Sequence, residues 1–210
     1  MGKSDELIVR GTINDSYETF DISGDEDDIT IEVEPKERKQ RNAKFNAELT
    51  ITVPPGVELT IESVSGEITV EGLSNSLTIE LVSGTIDVGG PLREIDIESV
   101  SGRIMIASES TLKSVSVEAV SGIIEMAGDL ARNGDYTFEA VSGEITIRVP
   151  RGYGASYEIE TFSGKIDNAF GPKPETTKFL PSQSLSFSES GGGANFEISC
   201  FSGKIRLLEN

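Results

Sequence analysis

The chain has 210 residues, with Lys+Arg 18 against Asp+Glu 36, and so carries a net charge of −18. That charge repels phosphate backbones and anionic headgroups, which argues against nucleic acid and an anionic membrane surface as partners. It is 36% hydrophobic and 26% charged, as suits a folded domain, and no stretch reaches the ~18 consecutive apolar residues of a membrane-spanning helix.

Met1 to Arg10, MGKSDELIVR, lacks the apolar core of a secretion signal. The expectation is a location inside the cell, or at the cell surface or membrane if a leader or anchor has been removed. Residues 7–33 read as two or three strands that form early coils or a cap, with Ile22-Ser23-Gly24 as a weak echo of the Ser-Gly copies that begin at Leu59. The run Glu34 to Lys44, EPKERKQRNAK, reads as a solvated loop, with a basic handle for an acidic partner as the other reading.

From Leu59 onward the chain repeats LTIESVSGEITV in seven variants, each centred on a Ser-Gly pair. The pairs are Ser65-Gly66, Ser83-Gly84, Ser101-Gly102, Ser121-Gly122, Ser142-Gly143, Ser163-Gly164 and Ser202-Gly203. Ile61, Ile79, Ile97, Val117, Phe138, Ile159 and Ile198 stand five places before the glycine. Ile68, Ile86, Ile104, Ile124, Ile145, Ile166 and Ile205 stand two after it. Apolar and polar residues alternate on both sides, which is the period of a strand. Each copy is therefore strand, Ser-Gly, strand.

A period of about 20 residues is half that of a propeller blade and fits one coil of a β-solenoid. The prediction is an all-β, single-chain β-solenoid (β-helix) with coils of about 18–21 residues, and the alternative is an antiparallel β-meander or sandwich. Hairpins at each Ser-Gly would leave Val64 and its equivalents on an uncovered face, whereas a solenoid corner, where side-chain phase switches, accommodates that column. One domain is expected over 1–210: N-terminal strands and cap over 1–58, regular repeats over 59–168, and an irregular loop with a final coil over 169–210. Within that loop Leu185 to Ser188 reads as a short strand, and Gly191-Gly192-Gly193 as a turn or a flexible tip.

The Ser-Gly pairs read as turns. Glycine supplies positive φ or room for close approach, and serine bonds to backbone nearby or in the next coil. A nucleophilic serine is singular and has a base beside it, and this chain has no histidine. Cys200 reads as a small buried apolar residue, and a lone thiol forms no internal disulfide.

The stretch ITVPPGVELTIESVSGEITVEG, Ile51 to Gly72, the VSG copies after it and the closing FEISCFSGKIRL resemble the bacterial and archaeal putative-adhesin family of β-strand-repeat proteins. The resemblance covers roughly Asp15 to Leu208. It implies a single-chain β-solenoid often attached to a membrane or cell surface, with no established catalytic residues.

One column is a candidate site. Glu62, Glu80, Glu98, Glu118, Glu139 and Glu160 stand four places before their glycines, and Ser199 takes the seventh place. If coils stack, these carboxylates form a ladder that faces solvent, divalent cations such as Ca²⁺, or a basic partner. Acidic residues repeat in register instead of forming the singular pair that glycoside hydrolysis needs, and tryptophan is absent. The expectation is a non-catalytic, cofactor-free scaffolding or binding module. A carbohydrate-active enzyme with a loop-built site and a self-assembling structural solenoid are the alternatives.

Overall fold

The computed structural model describes residues 6–14, 17–24, 29–35, 47–73, 75–176, 181–189, 191 and 193–210. Most of the run Glu34 to Lys44, and the middle of the triple glycine, lie outside them. The described residues form strands and no helix, so the all-β expectation holds, and the sheets do not close into a barrel. Contacts divide the chain into two units, Met1–Pro54 and Pro55–Asn210.

The first unit contains two antiparallel pairs. β1 (Ile8–Ile13) pairs with β4 (Ala47–Thr52), and β2 (Tyr17–Gly24) pairs with β3 (Ile29–Pro35). The weak echo Ile22-Ser23-Gly24 thus lies at the end of a hairpin strand, with Gly24 opposite Ile29.

The second unit is built from the repeats. β5 (Leu59–Val70) pairs in parallel with β6 (Ser76–Gly90), which pairs in parallel with the first part of β7 (Glu94–Val149). The register is residue on equivalent residue: Ile61 with Ile79 and Ile97, Gly66 with Gly84 and Gly102, Ile68 with Ile86 and Ile104. β7 runs through three Ser-Gly pairs, and its successive rungs lie on one another, since Gly122 abuts Gly102 and Gly143 abuts Gly122.

Beyond β7 the spatial order departs from the chain order. β8 (Ala155–Thr161) and β9 (Lys165–Asn168) do not lie on the last rung of β7. The C-terminal strand β12 (Ala194–Glu209) lies between them. It pairs in parallel with β7 on one side, Ile198 opposite Phe138, and with β8 and β9 on the other, Ile198 opposite Ile159 and Ile205 opposite Ile166. The final repeat in sequence is thus the penultimate rung in space. β11 (Gln183–Glu189) then pairs antiparallel with β8, and β10 (Glu175–Thr176) with β11.

The core follows from the alternation. From Ile79 onward both isoleucine-rich columns are buried, each large side chain contributing ~1.5–3 kcal/mol. A further inward column changes character along the stack, from Leu77, Ile95 and Val115 to Tyr136, Phe196 and Tyr157. Tyr136 and Phe196 stack at 4.6 Å between ring centroids, Phe196 and Tyr157 at 5.0 Å, and Tyr157 and Phe187 of β11 at 4.7 Å. Tyr136 Oη donates to Leu112 O at 2.8 Å and accepts from Ala131 N at 2.9 Å, and burial pushes its hydroxyl well above the ordinary tyrosine range. Cys200 is buried in the same interior, which raises its thiol pKa.

Candidate functional site

Six of the seven Ser-Gly pairs lie inside continuous strands, and only Ser163-Gly164 falls between two, β8 and β9. Gly66, Gly84, Gly102, Gly122 and Gly143 hold φ between +132° and +144°. A Cβ on Gly84 would run into the carbonyl oxygen of Gly66, one on Gly102 into that of Gly84, and one on Gly122 into that of Gly102. Gly203 meets Gly143 in the same way, and Gly164 meets Gly203. Four of the seven serines reach back one rung to the valine carbonyl there: Ser83 Oγ to Val64 O and Ser101 Oγ to Val82 O at 3.5 Å, Ser142 Oγ to Val120 O at 3.4 Å, Ser121 Oγ to Val100 O at 3.3 Å. These are long, weak hydrogen bonds. They account for the hydroxyls as ties between rungs.

The valine column corrects the sequence expectation. The side-chain phase does not switch before the Ser-Gly pair, so the residue two places ahead of each glycine stays outside. Exposure runs from 47% at Val82 to 74% at Val64, with Val100, Val120, Val141, Phe162 and Phe201 between them. The inward neighbour is the residue one place earlier, as at Leu81, Ser99, Thr161 and Cys200. In spatial order the outer column reads Val64, Val82, Val100, Val120, Val141, Phe201, Phe162, and the two phenylalanine rings stack at 5.0 Å with 7° between planes.

All six glutamates of the candidate column are exposed. Glu62 pairs with Glu80 and Glu80 with Glu98. Ser199 separates Glu139 from Glu160, because β12 is inserted there. The outward column beside it holds Thr60, Thr78, Asp96, Ser116, Thr137, Glu197 and Glu158, so these two columns carry carboxylates and hydroxyls and no cation. Among the described residues no group of three or more His, Cys, Asp or Glu is gathered to hold a metal ion.

After Ser-Gly, the first two repeats carry acids alone (Glu67, Asp87), and cations are interleaved with acids from Arg103 onward. Arg103 Nη1 meets Glu125 Oε2 at 3.4 Å, Arg206 pairs with Glu144, and Lys165 and Lys204 both reach Asp167, the latter at 2.8 Å. Hydrogen bonds from Lys165 first, then Lys204, hold the Asp167 carboxyl below its ordinary range. Its stabilising contribution is therefore present above the unfolded carboxyl pKa and lost as pH falls through the depressed one. Asp167→Asn is expected to cost below ~1 kcal/mol at neutral pH, since the group is partly solvated. Thermal melts of variant and native protein should converge on acidification. A gap that persists below pH ~2 would assign the loss to packing.

The carboxylate ladder should strain the stack. At ~4.8 Å, neighbouring charges repel by roughly 0.9 kcal/mol per pair at bulk-water dielectric. Glu98→Gln removes two such pairs and is expected to raise stability by about 1 kcal/mol at low ionic strength. In molar salt most of that gain should vanish. Urea unfolding at both salts checks it, and a gain unchanged by salt would mean amide stacking is responsible.

No family model matches this chain, and no curated protein does. Among solved structures, the crystal structure of a putative cell adhesion protein from Clostridium sporogenes ATCC 15579 is 12% identical, over 98% of this chain and 77% of that chain, with a TM-score of 0.38. No helix of the described residues is long and apolar enough to cross a membrane.

Proposed function

We propose that the chain is a non-catalytic, adhesin-like binding or scaffolding module whose second unit is a β-solenoid with one coil per repeat. The parallel, residue-on-residue pairing of equivalent positions supports the solenoid reading, since parallel neighbours need a crossover of the chain and not a hairpin between them. The resemblance of the Ile51–Gly72 and VSG stretches to the adhesin family supports the binding role.

The observation that carries the reading is the segregation of charge between the two outward strand faces. One face pairs Glu125, Glu144 and Asp167 with Arg103, Arg206, Lys165 and Lys204, while the two outward columns of the glutamate face hold no cation. Acidity needed only for solubility would be spread over both. Of the two occupants considered for the ladder, a basic surface is favoured over a divalent cation. A hard cation takes six to eight oxygens converging at about 2.3–2.6 Å, whereas the ladder spaces single carboxylates ~4.8 Å apart in a row.

The test is binding to immobilised poly-L-lysine by the native protein and two charge-matched triples. Glu80→Gln/Glu98→Gln/Glu118→Gln neutralises the ladder, and Glu67→Gln/Asp87→Asn/Glu125→Gln neutralises the other face. Salt-sensitive binding that falls tenfold or more in the first triple and little in the second is expected. Equal loss in both would reduce the effect to net charge. Release of reducing ends from a glycan panel by the native protein would overturn the non-catalytic reading.

A further inference from the structure

We infer that the exposed apolar ladder from Val64 to Phe162, with the carboxylate ladder beside it, is a docking strip for a basic amphipathic helix of another protein. This deepens the binding-module reading and rests on it. Single exposed valines are ordinary, but an unbroken row along one edge of a folded unit is not. Six steps of ~4.8 Å make it about 29 Å long.

Strand propensity alone does not explain the row. Threonine has the same branching and would be better solvated, and the outward column on the far side of the glutamates does use Thr, Ser, Asp and Glu in turn. The ladder position takes only valine or phenylalanine in seven repeats. The row also ends on an anchor: Phe201 and Phe162 lie parallel, 5.0 Å apart, and both are about half exposed. Rigid aromatic pairs of this kind dominate binding energy where they are met by a partner.

The flanking charge selects the occupant. Two residues before six of the seven apolar side chains stands a glutamate, with Ser199 before Phe201, so an apolar stripe laid on the ladder carries its flanking residues over acids. Those residues must be Lys or Arg. A second copy of this chain would bring carboxylate ladder against carboxylate ladder, which is the arrangement like charges oppose. An anionic bilayer is repelled by the same groups. Spacing favours a helix, whose apolar stripe advances about 5.4 Å per turn against the ~4.8 Å of the rungs. An extended strand advances about 6.8 Å per same-face pair.

The probe is a fluorescein-labelled peptide of three Leu-Lys-Lys-Leu-Leu-Lys-Lys heptads, with a scrambled peptide of equal composition and a Glu-for-Lys peptide as controls, read by anisotropy at physiological ionic strength. The native protein is expected to bind the amphipathic peptide at least tenfold more tightly than the scrambled one, and the Glu peptide not measurably. Val82→Thr/Val100→Thr/Val120→Thr should melt with the native protein, because threonine keeps the β-branch, yet lose the tenfold preference while retaining weak binding to both Lys peptides.

An unchanged preference in that triple would overturn the strip and leave the acidic face standing. If the native protein binds neither Lys peptide, the acidic-face reading fails with it. A native dimer that the threonine triple abolishes would put a second copy on the ladder and overturn the proposal. So would sedimentation with neutral phosphatidylcholine vesicles that the triple abolishes, which would put a lipid surface there.

Discussion

Gly102→Ala is expected to destabilise the repeat unit by at least ~2 kcal/mol more than Gly66→Ala, although both glycines hold φ +143°. The shared angle costs an L-residue about 1–3 kcal/mol at either site. The surroundings differ. A Cβ on Gly66 meets no described atom within 4 Å, while one on Gly102 is driven into the Gly84 carbonyl and its backbone. Backbone cannot swing aside as a side chain does, so the two rungs must part. Parting them weakens ladder hydrogen bonds worth ~0.5–1.5 kcal/mol each. Urea midpoints for the two variants separate strain from contact. Equal losses would mean that the angle alone requires glycine and that close approach of the rungs contributes nothing.

That pair of glycines also marks what could be read in the sequence. The repeat, its strand character and the in-register columns follow from spacing alone, because identical residues recur wherever rungs meet. β11 was legible from the alternation around Leu185. The outward phase of Val64 was not. Its alternation with Glu62 places it outside, but a row of exposed valines contradicts the usual preference for burial, and a phase switch at Ser-Gly would have hidden it. The ladder is thus a place where pattern and hydrophobicity disagree, and such places are where function is expected. The order of the last rungs was missed too, although signals existed. Ser199 breaks the glutamate column, and the 39-residue step from Gly164 to Gly203 leaves room for a return path. Tyr136, Phe196 and Tyr157 share one inward position, which only an aromatic stack explains.

The inserted rung carries the largest expected effect. Deleting residues 191–210 should unfold the end of the repeat unit, and not merely remove one strand from it. Phe196, Ile198, Cys200, Ile205 and Leu207 are all buried, and at ~1.5–3 kcal/mol for each large apolar side chain their loss approaches the ~5–15 kcal/mol that holds a whole domain. A terminal rung would take only its own contacts with it. β12 takes two interfaces, since β7 and the β8–β9 rung touch each other through it.

The chain order adds a kinetic consequence. The rung at Ala155–Asn168 is made first but cannot dock natively until Asn195 has found Asp135, 60 residues earlier, with which it shares a side-chain hydrogen bond of 2.9 Å. Such non-local closure is slow. A synthetic peptide of residues 191–210 should therefore complement the truncated protein in trans, adding as a parallel strand in the vacant slot and restoring the melting transition. Truncated protein that melts within a few degrees of the full chain would show that the Ala155–Asn168 rung had closed directly onto β7, with Tyr157 on Tyr136. The C-terminal strand would then be dispensable to the stack.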